Sequence, residues 1–208
     1  MKEVYQCFGD ALTIVTLYAD ALMHTALRKM FHVHSGLPIA GSPVHKVRAV
    51  FDLGLRHPSA DKHPGLTHFW IHYLEMSATP AVALPAADRL RHLVPDVGHI
   101  HHMPTHLDVL VGDYRRSIDS NTAAVLVDEK YLAKNGAKNF YSFYRLHKYH
   151  SLLYAAMLAG QSKVALRTLD QMESSLTNDV LRVKTPPLAD WLEFFKAARI
   201  HVYIRFGL

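Results

Sequence analysis

Sixteen histidines stand in 208 residues, and they gather at 63–72, 99–106 and 147–150. In a polar tract such enrichment would suggest a metal-binding tail, but here each cluster lies inside a segment with apolar residues at three- and four-residue spacing. In HFWIHYLE, residues 68–75, His68, His72 and Glu75 stand at i, i+4 and i+7, so on a helix their side chains fall within about 60° of one another. An i, i+4 pair lets one helix offer two imidazole nitrogens to one ion. A carboxylate one turn further on can ligate, bridge two ions or orient a histidine through its other ring nitrogen. The run GHIHHMPTHLDVLVGDY, residues 98–114, repeats the spacing with His102 and His106 on either side of Pro104. His99 and His101 are two residues apart and cannot face the same side; His99, three before His102, is the one expected to join the group. His147 and His150, at i, i+3, form a third pair beside Phe140, Tyr141, Phe143, Tyr144, Arg145 and Tyr149.

Ligand softness narrows the metal. Imidazoles with one or two carboxylates and no thiolate suit copper, iron, zinc or nickel and argue against magnesium or calcium. Three pairs are enough for two ions with three nitrogens each, a count compatible with a coupled dicopper oxygen site, whereas Glu75 leans toward di-iron or zinc. Copper and iron are therefore favoured, with zinc compatible with the same ligands. Glu75 and Tyr154 are the candidates for proton handling. Isolated histidines such as His24, His45, His57 and His92 read as structural residues hydrogen-bonded to a carbonyl or a neighbour. His32 and His34, an H-V-H in an expected loop, are weak candidates for contact with a ligand.

Composition sets the limits within which this chemistry operates. Half the residues are hydrophobic and a fifth are charged, the profile of a globular chain that buries a core. The net charge of +5 comes from scattered Lys and Arg, with no basic run that would favour nucleic acid. The one cysteine, Cys7, excludes an intrachain disulfide and thiolate-rich zinc modules and suggests a reducing, cytoplasmic setting. The longest apolar stretch, ALTIVTLYADALM at 11–23, is interrupted by Asp20 and too short to span a bilayer, so no membrane association is expected. The chain enters a helical pattern at its first residues without a leader, as a shortened form of a longer protein would. No Walker loop, GxGxxG or GxSxG is present.

The elements that position the histidines read as helices throughout. Apolar spacing and the breakers Gly36, Pro38, Pro58, Pro80, Pro95, Gly98, Gly136, Gly160, Pro186 and Pro187 predict helices near 3–30, 43–56, 64–76, 80–93, 99–111, 113–132, 139–159, 161–175 and 187–206. PPLADWLEFF at 186–195 reads as a proline-started helix with Asp190 in its first turn, Trp191 packing and no chemistry of its own. Internal similarity then organises these helices. LDVLVGDYRRSIDSNTAAV at 107–125 has the Leu, Gly, Tyr and small-residue order of a tetratricopeptide unit, and MLAGQSKVALRTLDQM at 157–172 and EMSATPAVALPAADRL at 75–90 repeat it. Ala78 to Gly112 is 34 residues, the tetratricopeptide period; Gly112 to Gly160 and Gly160 to Gly207 are 48 and 47, so the later units carry insertions. Measured back from these turns, His72, His106 and His201 each lie six residues earlier, and His68, His102 and His150 each lie ten earlier. Tyr154 takes the inner register in the unit that ends at Gly160. Equivalent positions of stacked repeats face one side, so these side chains are expected to line one pocket.

Taken together, HPGLTHFWIHYLEMSATPAVALPAADRL, GHxxHMPTHxxxxxGxY, NFYSFYRLHKYHSLLYAAMLAGQ and RIHVYIRFG resemble a family of divergent tetratricopeptide-repeat proteins of bacteria and filamentous fungi, over roughly residues 45–208. The resemblance implies an all-α fold of antiparallel helix pairs in a right-handed superhelix. It lends little on activity. The expected organisation is one helical domain over 1–208, with 1–44 a less regular helical segment and 45–208 the repeat region. The expected function is a metal-dependent enzyme that carries out oxidative chemistry on a small organic molecule. A zinc hydrolase, a non-catalytic metal or metallophore binder, and a repeat scaffold that docks a peptide or protein are the alternatives. A peptide groove would favour Asn, Lys and Arg at the inner registers, where this chain has His, His and Tyr. So short a superhelix leaves the pocket open to water unless the N-terminal segment or a second subunit covers it, and the helical surface is a candidate face for a homo-oligomer or a protein partner.

Overall fold

The computed structural model describes all residues, 1–208. It is all-helical, with 71% of residues in helix and no strands; one isolated antiparallel bridge joins Phe31 to Pro38. No helix is long and apolar enough to cross a membrane. The helices group into two compact units, Met1–Pro95 and Asp96–Leu208. The division falls at Pro95, one of the expected breakers.

The first unit holds α1 (Lys2–Phe8), α2 (Leu12–His24), α3 (Val44–Leu55), α4 (Pro64–Leu74) and α5 (Leu84–Leu93). The single helix expected over 3–30 is two: a turn at Gly9 and Asp10, both poor in a helix interior, separates α1 from α2, and the chain leaves helix after His24. Val15, Ala19, Val47, Phe51, Leu66, Trp70 and Ile71 form the buried core where α2 packs on α3 and α4. Phe51 meets Trp70 edge-on at 5.3 Å between ring centroids. The start of α4 is set by Pro64 at its first turn and by His63, whose Nδ1 accepts a hydrogen bond from the Leu66 N–H at 3.0 Å. These two residues fix the phase of the helix that carries His68 and His72.

The second unit holds α6 (Gly98–His102), α7 (Thr105–Leu110), α8 (Tyr114–Asn135), α9 (Tyr141–Leu158), α10 (Ser162–Ser175), α11 (Asn178–Leu181), α12 (Leu188–Leu192) and α13 (Ala198–Phe206). Leu146, Leu152, Leu153 and Ala156 of α9 are buried between α8, through Ile118 and Val125, and α10, through Ala165, Leu169 and Met172. Each fully buried leucine contributes about 1.5–3 kcal/mol, which holds α9 in place between its neighbours. Two expected helices are broken. The helix of 99–111 divides at Pro104, whose missing N–H cannot continue the ladder, and that of 187–206 becomes α12, a 3-10 turn and α13. α11, capped by the Thr177 hydroxyl, was not expected. The turn glycines Gly112, Gly160 and Gly207 all sit at positive φ, at 81°, 70° and 68°, a region that glycine enters without the steric cost of a Cβ. α9 and α10 pack together across the short connection at Gly160, which makes them an antiparallel pair.

Candidate metal centre

In the second unit, α6 brings His102 to the inner face of α8. Gly98 makes this approach possible: a Cβ there would overlap the Asp128 carboxylate and lie 2.8 Å from the Ala124 carbonyl oxygen, so the backbone of α6 rests directly on α8. His102, four residues on and on the same face, is 2% exposed. His106 follows beyond the Pro104 break, and its Nε2 lies 3.0 Å from His102 Nε2. His147, on α9, places its Nε2 3.1 Å from the same atom. Both partner rings stand nearly perpendicular to that of His102, at 76° and 75°, and the nitrogens of all three lie within 4.8 Å of one another.

One side of His102 is already committed. Its Nδ1–H donates to Asn121 Oδ1 at 2.7 Å, and a carbonyl-type oxygen can only accept. His102 Nε2 therefore carries a lone pair, and two further nitrogens point at that one lone pair. At most one N–H can occupy it well; a cation at the centre of the three satisfies all of them. Two nitrogens bound at about 2.1 Å to one ion are about 3.0 Å apart at a right angle and about 3.4 Å apart at the tetrahedral angle. The two separations from His102 Nε2, 3.0 and 3.1 Å, belong to this range.

Electrostatics agree with ligand chemistry. Burial, reinforced by His106 and His147, holds His102 well below the usual histidine range despite the opposing hydrogen bond to Asn121. His147 is pushed down to about 4 by burial and by the neighbouring charges of His106, His150 and Lys148. Both are neutral at neutral pH, as a ligating imidazole must be. The donor set fits a transition-metal ion of the copper, iron, zinc or nickel kind.

The same face of α8 clamps α9. Lys148, next to His147, is fully buried against Asp128, with Nζ 2.8 and 2.6 Å from the two carboxylate oxygens. The Tyr141 hydroxyl donates to Asp128 Oδ1 at 2.7 Å. Ser117, Asn121 and Asp128 thus form a buried polar stripe on α8, interleaved with Ala124. Histidine counting passed over this stripe. Its signal in the sequence is the placement of Ser, Asn and Asp at four- and seven-residue spacing on the apolar face of the helix.

The remaining candidates occupy other places. His99 lies beside His102, with ring centroids 6.2 Å apart, and meets Tyr144 edge-on at 6.0 Å. His150, which shares its repeat register with His102, packs instead on Phe195 at 5.7 Å and has His201 nearby. His201 is exposed, and so is Tyr154, two helical turns along α9 from His147, about 10 Å. Repeat register therefore places His150, Tyr154 and His201 on the right helices but not among the three converging nitrogens. His147, assigned through its neighbour, is the one that enters. Arg145 turns to Glu129 at 3.3 Å.

In the first unit the His68 and His72 rings lie 4.8 Å apart on α4. Glu75, at the end of that helix, accepts from His72 Nδ1–H at 3.0 Å. Of the three roles open to Glu75 in the sequence, this contact corresponds to the orienting one, a hydrogen bond to the Nδ1 side of the His72 ring. Among the isolated histidines, His24 is exposed and bonds the Asp20 carbonyl at 3.0 Å, and His57 accepts from the Ser59 N–H at 3.0 Å. Comparison with protein-family models, with curated proteins and with solved structures found no match.

Proposed function

We propose that this chain is a transition-metal enzyme built on tetratricopeptide-like helix pairs, with His102, His106 and His147 as the ligands of one ion. The observation that carries the reading is the approach of two imidazole nitrogens to the single lone pair of a third, buried one, at 3.0 and 3.1 Å. One N–H can use that lone pair, whereas a cation would use all three nitrogens. Copper and iron are the favoured ions, and the chemistry proposed is oxidation of a small organic molecule, with three protein ligands leaving a position open for dioxygen or substrate. The repeat assignment is supported by the period of 34 residues, by the positive φ at each turn glycine and by the antiparallel pairing of α9 with α10. The neutral amide behind His102 favours one second reading: with no carboxylate on that ligand the ion keeps more of its charge, which suits a zinc hydrolase.

Reconstitution with copper, iron or zinc followed by elemental analysis tests the centre. The wild-type chain is expected to retain about one ion or more, and His102→Ala and His147→Ala each to lose it. Retention below about 0.1 ion per wild-type chain overturns the reading. Dioxygen uptake by the copper- and iron-loaded chain against a panel of small organic reductants, set beside ester hydrolysis by the zinc-loaded chain, separates the two chemistries.

A further inference from the structure

We infer that Asn121 is the positioning residue of the centre: it fixes the ring tautomer of His102 so that Nε2, and only Nε2, is available to an ion. The inference rests on the proposed metal site for its consequence but not for its geometry. Asn121 is fully buried, and so is Ser117 one turn before it. The Asn121 amide nitrogen faces Ser117 Oγ at 3.4 Å, and the amide oxygen faces His102, 2.7 Å from Nδ1. The Thr105 hydroxyl lies farther off, 3.5 Å from the same nitrogen.

In a neutral imidazole one nitrogen is a donor and the other an acceptor. Fixing the proton on Nδ1 therefore fixes the lone pair on Nε2, which is the atom that His106 and His147 approach. An amide oxygen does this without adding charge, whereas the carboxylate behind His72 adds one. The helix that supplies no ligand thus decides whether a ligand from another helix is competent. Outer partners of this kind usually change metal affinity by about 10- to 100-fold when removed.

The test uses the full chain, freed of metal and labelled with nitrogen-15 in its histidine rings. Long-range proton–nitrogen correlation reads the His102 tautomer, and cobalt(II) titration followed by visible absorption reads affinity. The wild-type chain is expected to show Nδ1 protonated and Nε2 bare. Asn121→Leu is expected to release the tautomer and weaken cobalt binding about 10- to 100-fold, whereas Asn121→Asp, which keeps an acceptor oxygen, retains the tautomer and binds within about tenfold of wild type. A purely structural role for Asn121 would move stability in both variants and leave the tautomer untouched. Nε2 protonated in the wild-type chain overturns the inference without any variant, as does an Asn121→Leu chain with unchanged tautomer and affinity. Absence of cobalt binding to the wild-type chain, with the tautomer as expected, would instead remove the metal reading and leave the role of Asn121 standing.

Discussion

The two histidine groups use the same spacing to different ends. On α4, His68 and His72 are one turn apart, and the second is held by a carboxylate; the His72 and Glu75 side chains are 31% and 22% exposed. On α6 and α7, His102 and His106 are also four residues apart, but His102 is buried and held by an amide, and a third imidazole arrives from α9. A half-exposed group can keep a charged partner because water screens it. A buried group cannot do so cheaply, and the acceptor behind His102 is neutral. The unit of 96–208 does bury one charge pair, Asp128 with Lys148, and sets it two turns along α8 from Asn121, where Tyr141 completes the hydrogen bonds.

That pair gives the largest effect by which the contrast can be broken. Asp128→Ala leaves the Lys148 ammonium buried without its anion, an error that costs about 3–5 kcal/mol, and it is expected to lower the urea midpoint of the second unit and to dislodge His147 with it. Replacing both members together, Asp128→Leu with Lys148→Met, is expected to restore most of the stability, because the cost comes from the stranded charge. If the single and double variants unfold at the same denaturant concentration, the pair is not the clamp that sets α9 on α8.

A second effect separates the groups by pH. His147 is at about 4 in the folded chain against about 6.5 unfolded. Between these values the unfolded chain binds the extra proton, so stability rises with pH across the window from about 4 to 6.5 and is level above it. Acidification through that window is expected to cost the metal-free protein about 3 kcal/mol from this residue, read as a fall in unfolding free energy between pH 7 and pH 4. His147→Gln should lessen the slope and leave the share that belongs to His102, which burial also holds below the usual range. An unchanged slope in His147→Gln would remove His147 as a source of the acid sensitivity.

How much of this was readable beforehand follows the same division. Helical periodicity and the i, i+4 spacing brought out His68 with His72 and His102 with His106, because both features are local. The all-helical class was readable for the same reason. The third ligand was less so. Repeat register chose His150, and His147 entered as its i, i+3 neighbour, yet it is His147 that meets His102 while His150 packs on Phe195. Beside His147, Lys148 pairs with Asp128 twenty residues earlier, a long-range contact that no single window contains. Asn121 was missed for a different reason. An asparagine in a long amphipathic helix looks like an ordinary polar residue until its burial is known.

The smallest effect concerns Glu75. A partly exposed ion pair contributes about 0–1 kcal/mol, so Glu75→Gln, which keeps an acceptor oxygen near His72 Nδ1, is expected to change unfolding free energy by less than about 1 kcal/mol. Its effect belongs to the ring instead. The carboxylate orients the His72 ring, and the Glu75 substitution is expected to weaken any ion held through His72 by about tenfold, the low end of what such partners give. The measurement is a zinc titration of the His102→Ala chain, in which the three-imidazole centre is disabled and α4 keeps its pair. A loss of stability above about 2 kcal/mol in Glu75→Gln, well beyond what screened pairs give, would mean that the His72–Glu75 contact is a packed structural element. The carboxylate on α4 and the amide on α8 would then differ in burial alone and no longer in what they do to a ligand.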